Sequence, residues 1–165
     1  MKTIKIGTRN SPLAMWQAER VASQLQTLGH KTELVPVVST GDKNLQQPLY
    51  ALGITGVFTK DLDIALLNKE IDIAVHSLKD VPTALPTGVI ISAVLERDFP
   101  EDVLIRNPKA KDKDISELSV ATSSLRRKAF WLNQYPKTHF SDIRGNVQTR
   151  LKKLEDGLAD ATLLS

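Results

Sequence analysis

Short β-rich apolar runs alternate along this chain with longer segments of helical apolar spacing. That alternation implies parallel sheets with helical crossovers, hence an α/β fold. Ile4-Lys5-Ile6-Gly7 reads as a first strand. Ser11 caps a helix that Pro12 opens, with Leu13, Trp16, Val21, Leu25 and Leu28 on its apolar face and Gly29 closing it. Thr32 to Val38 reads as a second strand, and Pro36 argues for an edge position or a bulge. Ser39 to Thr55 reads as a polar loop, Val57 to Asn68 as a helix, and Ile71 to Val75 and Val89 to Leu95 as strands. Trp16 and Trp131 fall on helices and are most simply core.

Glu96-Arg97-Asp98-Phe99-Pro100-Glu101-Asp102 has the look of a linker, and Pro108 to Asp114 is a second polar stretch. A domain crossing is therefore placed near residues 96–105, giving domains over residues 1–98 and 99–165. Beyond it the pattern restarts: strand at Leu118 to Ala121, helix at Ser124 to Gln134, strand at His139 to Ile143, helix at Val147 to Glu155, Gly157 as cap, strand at Asp160 to Leu164. A terminal apolar strand with no helix after it leaves a parallel sheet poorly covered, so the expectation is a chain cut short.

A length of 165 residues suits one domain or two small ones, and 41% hydrophobic with 25% charged residues is an ordinary soluble composition. No apolar run approaches the ~20 residues of a membrane span, and the first residues lead directly into a strand, which points to a cytoplasmic protein without a membrane partner. The absence of cysteine excludes disulfides, thiolate metal sites and a cysteine nucleophile in this chain. His30, His76 and His139 lack the spacing of a metal set. The net charge of +3 comes without a continuous basic stripe, and aromatics are only 5%, which argues against a nucleic-acid partner.

Three strand-to-helix junctions share one design. Thr8-Arg9-Asn10-Ser11-Pro12 places an arginine and hydroxyls at a helix start; Thr122-Ser123-Ser124-Leu125-Arg126-Arg127 does so with two arginines; Arg144-Gly145-Asn146 precedes a helix carrying Thr149 and Arg150 in its first turn. Helix starts present unpaired N–H groups, and arginine adds a planar fork for carboxylate or phosphate. Repetition of this design suits a ligand with several separated carboxylates, whereas a nucleotide would call for a glycine-rich phosphate loop, which is absent. Taken singly, each arginine reads more simply as a solvated or salt-bridged surface residue, and it is the repetition at equivalent strand ends that weighs against that reading. The segment His76-Ser77-Leu78-Lys79-Asp80-Val81-Pro82 adds an ammonium and a carboxylate where a strand ends, the usual ligand position in open α/β sheets. The residues alone leave Asp80 open between a surface pair with Lys79 and a group that stabilises a cation or moves a proton. His76 reads as structural.

Together these motifs resemble the porphobilinogen deaminase family, also called hydroxymethylbilane synthase. The resemblance rests on Gly7-Thr8-Arg9-Asn10-Ser11-Pro12-Leu13-Ala14, His76 to Pro82, Thr122 to Arg127, and Arg144-Gly145-Asn146-Val147 with Thr149-Arg150-Leu151, in the family's order over nearly the whole chain. It implies two lobes of mixed, mostly parallel sheet with flanking helices, similar to two-lobed periplasmic binding proteins, with the active site in the cleft between them. It implies a deaminating transferase of tetrapyrrole biosynthesis, usually monomeric, that joins four porphobilinogen units head to tail through linear polypyrrole intermediates. The product grows on a dipyrromethane cofactor held by a cysteine of a third domain. Each pyrrole carries an acetate and a propionate, in keeping with the arginines.

By this resemblance Asp80 would hydrogen-bond pyrrole N–H groups and stabilise the cationic azafulvene-like species formed when ammonia leaves. Ser77, Lys79, Thr122, Ser123, Ser124, Arg126 and Arg127 would hold the cofactor's carboxylates. Arg9, Ser11, Arg144, Gly145, Asn146 and Arg150 would hold substrate or the lengthening chain. Two departures stand out: Ala51-Leu52-Gly53-Ile54-Thr55-Gly56 lacks the lysines of the family's mobile loop, and the cofactor cysteine is absent. The expectation is an isolated chain without synthase activity. The alternative is a non-catalytic module of the same fold that binds carboxylate ligands.

Overall fold

The computed structural model describes residues 2–38 and 59–165. The loop expected over Ser39 to Thr55, including residues 51–56, and the start of the helix expected from Val57 lie outside the described residues. The chain divides into two compact units, Met1–Val94 and Leu95–Ser165. Both are mixed α/β.

In the first unit a parallel sheet has the order β2-β1-β3, formed by β1 (Ile4–Arg9), β2 (Thr32–Val37) and β3 (Ile73–Ala74). Side chains alternate across a strand, so the two faces of β1 meet different helices. Ile6 packs with Ala18 and Ala22 of α1 (Pro12–Thr27), joined by Val21, Leu25, Leu34 and Ile73. On the other face, Val35, Val37 and Ala74 pack with Leu62 and Ala65 of α2 (Lys60–Leu67) and with Ile71. Gly7 belongs to this second face. A Cβ there would fall 2.2 Å from Ile71 Cδ1 and 2.9 Å from Leu62 Cδ2, so the approach of α2 requires glycine.

Ser11 caps α1 as expected: it is extended, and its Oγ accepts from Ala14 N–H at 3.3 Å. The helix closes in a Schellman arrangement, with Gly29 at φ +86. Its N–H donates to Gln26 O, and the His30 N–H donates to Leu25 O. The buried face differs from the expected one, because alanines let the helix sit close to the sheet while Leu13, Trp16 and Leu28 face outward. Trp16 is 48% exposed, not core, and its ring lies under the Arg20 guanidinium. Pro36 is on the edge strand β2, where its missing N–H costs no ladder bond.

Val89 to Leu95 is not a strand. Its β-rich composition is only half the requirement, since strand conformation also needs a neighbour for its N–H and C=O groups, and the described residues supply none. Ile90, Ile91, Val94 and Leu95 are accordingly exposed.

The second unit holds a sheet of order β4-β7-β5-β6, with β4 (Val103–Arg106), β5 (Val120–Ala121), β6 (Phe140–Ser141) and β7 (Ala161–Leu164). β4 arises directly after the stretch expected to be linker, where no strand was expected, and pairs antiparallel to β7, whereas β5 is parallel to both β6 and β7. Ala110, Leu118, Val120, Ala161 and Leu163 form one core with Trp131 of α3 (Leu125–Gln134) packed against it. Ala121, Ile143 and Ala159 form a second cluster, and Leu154 of α4 (Val147–Glu155) is also buried. Thr162 is fully buried, its hydroxyl satisfied by Ala121 O at 2.8 Å. No helix among the described residues is long and apolar enough to cross a membrane.

Candidate functional site

Each unit presents polar groups at the carboxyl ends of its parallel strands. In the first, β1 ends at Arg9 and is followed by the Ser11 cap of α1. β3 leads through Val75 and His76 into a short 3-10 turn over Leu78–Asp80. Because β1 and β3 are adjacent and parallel, their ends converge, and Arg9 Nη1 comes to 3.7 Å from Asp80 Oδ2. Both side chains are largely covered, at 17% and 27% exposure, so their attraction is less screened than at an open surface.

Three neighbours hold this end in place. Thr8 is buried and donates from Oγ1 to Ala14 O at 2.9 Å, tying β1 to the first turn of α1. Ser77 Oγ donates to Gln17 Oε1 at 3.0 Å, tying the β3 end to the same helix. His76 is held below the usual imidazole range by burial; the carboxylates of Asp63 and Asp80 oppose the shift and Arg9 reinforces it. It is therefore neutral at physiological pH. Lys79 is exposed on the turn beside Asp80.

In the second unit, Thr122, Ser123 and Ser124 connect β5 to α3. Thr122 is buried, and its hydroxyl accepts from Ser124 N–H. Ser123 Oγ donates to Ile143 O at 2.9 Å and accepts from Ile143 N–H at 3.0 Å, locking this connection to the one after β6. Ser124 caps α3 by accepting from Arg127 N–H. These hydroxyls mainly shape the loop. The two arginines diverge: Arg126 is exposed, while Arg127 forks onto Asp102 from Nε and Nη2, both at 2.6 Å, and donates from Nη1 to Leu163 O at 3.2 Å.

The third junction turns at Gly145, φ +114, ahead of the Asn146 cap, whose Oδ1 accepts from Thr149 N–H and Oγ1. Arg150 Nε donates back to Gly145 O at 2.8 Å, and Lys153 Nζ donates to Arg144 O. Arg144 Nη1 is buried with no hydrogen-bond partner among the described residues. A buried unpaired guanidinium N–H is costly and fits an anion acceptor. That orphan fits a ligand carboxylate, and exposed Arg126 with the two-point fork of Arg127 supplies donors of the kind that the acetate and propionate groups of a dipyrromethane would take. Among the described residues no cluster of three potential metal ligands occurs.

Sequence reasoning singled out Arg9, Ser11, Ser77, Lys79 and Asp80, and the fold gathers them beyond the carboxyl ends of β1 and β3; Thr122 to Arg127 and Arg144 to Arg150 lie on adjoining connections of the second sheet. Gln17, Asp63 and Asp102 were missed. Gln17 and Asp63 are ordinary polar helix positions, and Asp102 lay in the presumed linker; only the fold brings them to Ser77, His76 and Arg127.

Residues 4–165 match the family model described as porphobilinogen deaminase, dipyromethane cofactor binding domain. A probable porphobilinogen deaminase of Methanocaldococcus jannaschii is 51% identical over 162 residues, covering 98% of this chain and 55% of the relative. Porphobilinogen deaminase of Cytophaga hutchinsonii is 47% identical over 165 residues, covering 99% and 53%. The chain thus spans about half the length of the curated relatives it matches. Among solved structures, the ancestral amino acid-binding protein AncCDT-1, a precursor of cyclohexadienyl dehydratase, aligns over 98% of this chain and 69% of its own, at 16% identity and a TM-score of 0.45.

Proposed function

Because the chain belongs to the porphobilinogen deaminase family, we propose that it supplies the substrate- and cofactor-holding part of a hydroxymethylbilane synthase, a transferase that condenses four porphobilinogen molecules with release of ammonia. The observation that carries this reading is the Arg9–Asp80 pair, a partly covered carboxylate oriented by a guanidinium at a strand end. Simple capture of anions does not require a carboxylate there.

In the proposed mechanism the Asp80 carboxylate accepts hydrogen bonds from pyrrole N–H groups and stabilises positive charge that develops on substrate as ammonia departs. Arg9 aims the Asp80 carboxylate from 3.7 Å, and neutral His76 adds no competing positive charge. Dipyrromethane, when bound, supplies the pyrrole to which new units are joined. Ser77, Lys79, Thr122, Ser123, Ser124, Arg126 and Arg127 would hold its carboxylates, and Arg9, Ser11, Arg144, Gly145, Asn146 and Arg150 would hold substrate. No cysteine in this chain can tether the group. We further propose that residues 1–98 belong to a first domain and 99–165 to part of a second, and that the protein works as a cytoplasmic monomer without nucleic acid or membrane.

The sequence Ala51 to Gly56, which lacks the lysines of the family's loop, favours a second reading, a non-catalytic module for carboxylate ligands. One experiment separates them. This chain is substituted for the matching part of the Methanocaldococcus jannaschii relative, and the hybrid is given porphobilinogen. Formation of hydroxymethylbilane by the hybrid, and none by the chain alone, is expected. A folded hybrid that binds porphobilinogen but makes no product would favour the module.

A further inference from the structure

Asp102 carries an inference that rests on the carboxylate-holding reading of Arg127 and goes beyond it. A carboxylate already lies on the Arg127 fork: Nε reaches Asp102 Oδ2 and Nη2 reaches Oδ1, both at 2.6 Å, the two-point geometry a ligand carboxylate would adopt. We infer that Asp102 is a resident competitor, which fills the Arg127 fork until a ligand carboxylate displaces it.

The two partners are anchored unequally. Arg127 stands in the first turn of α3, its side chain is 19% exposed, and Leu163 O holds Nη1 independently of Asp102. Asp102 has a side chain 40% exposed and lies just outside β4, whose ladder begins with Val103 opposite Leu164. Asp102 can therefore swing into water without breaking a strand pair, while the guanidinium stays where it is. A covered arginine left without an anion would be strongly disfavoured, so the fork favours being filled in both states. The consequence is selectivity. A single carboxylate gains little by replacing another, whereas a ligand that also reaches Arg126 or the helix start gains enough to displace Asp102.

The test is a double-mutant cycle on this chain, reading by calorimetry the affinity of a free dipyrromethane that carries acetate and propionate groups. Asp102→Asn is expected to tighten binding by about threefold or more, the scale of one partly exposed ion pair. Arg127→Gln is expected to weaken it, and adding Asp102→Asn to Arg127→Gln to give no gain. No tightening by Asp102→Asn, or the same tightening without Arg127, would overturn the inference, the latter revealing only a general change in charge. If binding is seen and Arg126→Gln weakens it while Asp102→Asn changes nothing, the inference fails and the carboxylate-holding reading stands. No binding by any variant overturns both. Should Asp102→Asn fail to fold, the Arg127 Nε–H resonance of the unsubstituted chain decides: it is expected to shift on titration with the same free dipyrromethane, and an unmoved resonance defeats exchange.

Discussion

Arg9 ends β1 and Asp80 ends the 3-10 turn that follows the neighbouring parallel strand β3, and their side chains approach to 3.7 Å. The approach follows from register: Ala74, the last residue of β3, is opposite Gly7, two residues before β1 ends at Arg9, so the chain leaving β3 passes beside the end of β1. A charge pair set at such a point is held by backbone geometry on both sides.

For this reason Asp80→Asn should remove function with little effect on folding. In the hybrid enzyme, turnover should fall by at least about a hundredfold, the scale of losing a group that stabilises transition-state charge. The thermal midpoint should move by no more than a few degrees, since a partly exposed ion pair contributes about 1 kcal/mol or less. Turnover within tenfold of the parent would refute the role given to Asp80.

His76 links this end of the sheet to pH. Its folded-state pKa lies below the ordinary value of 6.5, chiefly through burial, so the folded chain resists a proton that the unfolded chain accepts. The stability from neutral His76 is present above about 6.5 and is lost as pH falls through the folded pKa. Urea denaturation followed from neutral pH down toward pH 5 should show declining stability of the first unit, and His76→Gln should flatten that decline. The groups that face the ring are Asp63 on α2, Asp80 on the turn and Arg9 on β1. An unchanged slope in His76→Gln would remove His76 as the source.

Much of this organisation was legible in the residues, for local reasons. Ser11 with Pro12, Ser124 and Asn146 mark helix starts by capping chemistry, and Gly29 and Gly157 mark helix ends by their positive φ. What failed depended on distant partners. Val89 to Leu95 has strand composition without a paired neighbour among the described residues, and Val103–Arg106 becomes a strand because β7 offers an antiparallel edge. Site residues that belong to a motif were found, while Asp102 and Gln17 matter through contacts 25 and 60 residues away. Spacing along a chain does not encode such contacts.

Asp160 predicts acid sensitivity in the second unit. Its carboxylate accepts from Ser119 N–H and Oγ at 2.9 and 2.8 Å and from Lys113 Nζ. The Ser119 backbone bond, then the lysine, lower its pKa from 3.8 to about 2. A depressed carboxylate stabilises the fold above its unfolded pKa, and that contribution is lost as pH falls through about 2. Asp160→Asn should therefore cost about 2 kcal/mol at neutral pH and progressively less below pH 4, as read by Trp131 fluorescence during denaturation. A cost that does not change with pH would mean the charge is not the stabilising element.

Gly145 couples backbone conformation to the third arginine-bearing junction. Its φ of +114 is one that side-chain-bearing residues rarely adopt, and an added Cβ would fall 2.6 Å from Thr149 Cγ2 in the first turn of α4. Neither strain relaxes alone, because Thr149 is fixed by Asn146 through both its N–H and its hydroxyl, and Arg150 donates to Gly145 O. Gly145→Ala should destabilise the chain by about 1–3 kcal/mol. It should also rotate the peptide that places Arg144 and Arg150, weakening porphobilinogen binding severalfold at temperatures where the variant is fully folded. Thr149→Ser, which removes the Cγ2 methyl but keeps the hydroxyl and the Cβ 2.7 Å from the added Cβ, should restore only a small part of the stability lost in Gly145→Ala. Recovery of stability without recovery of binding would show that the backbone path at Gly145, rather than the packing of α4, sets the position of the arginines.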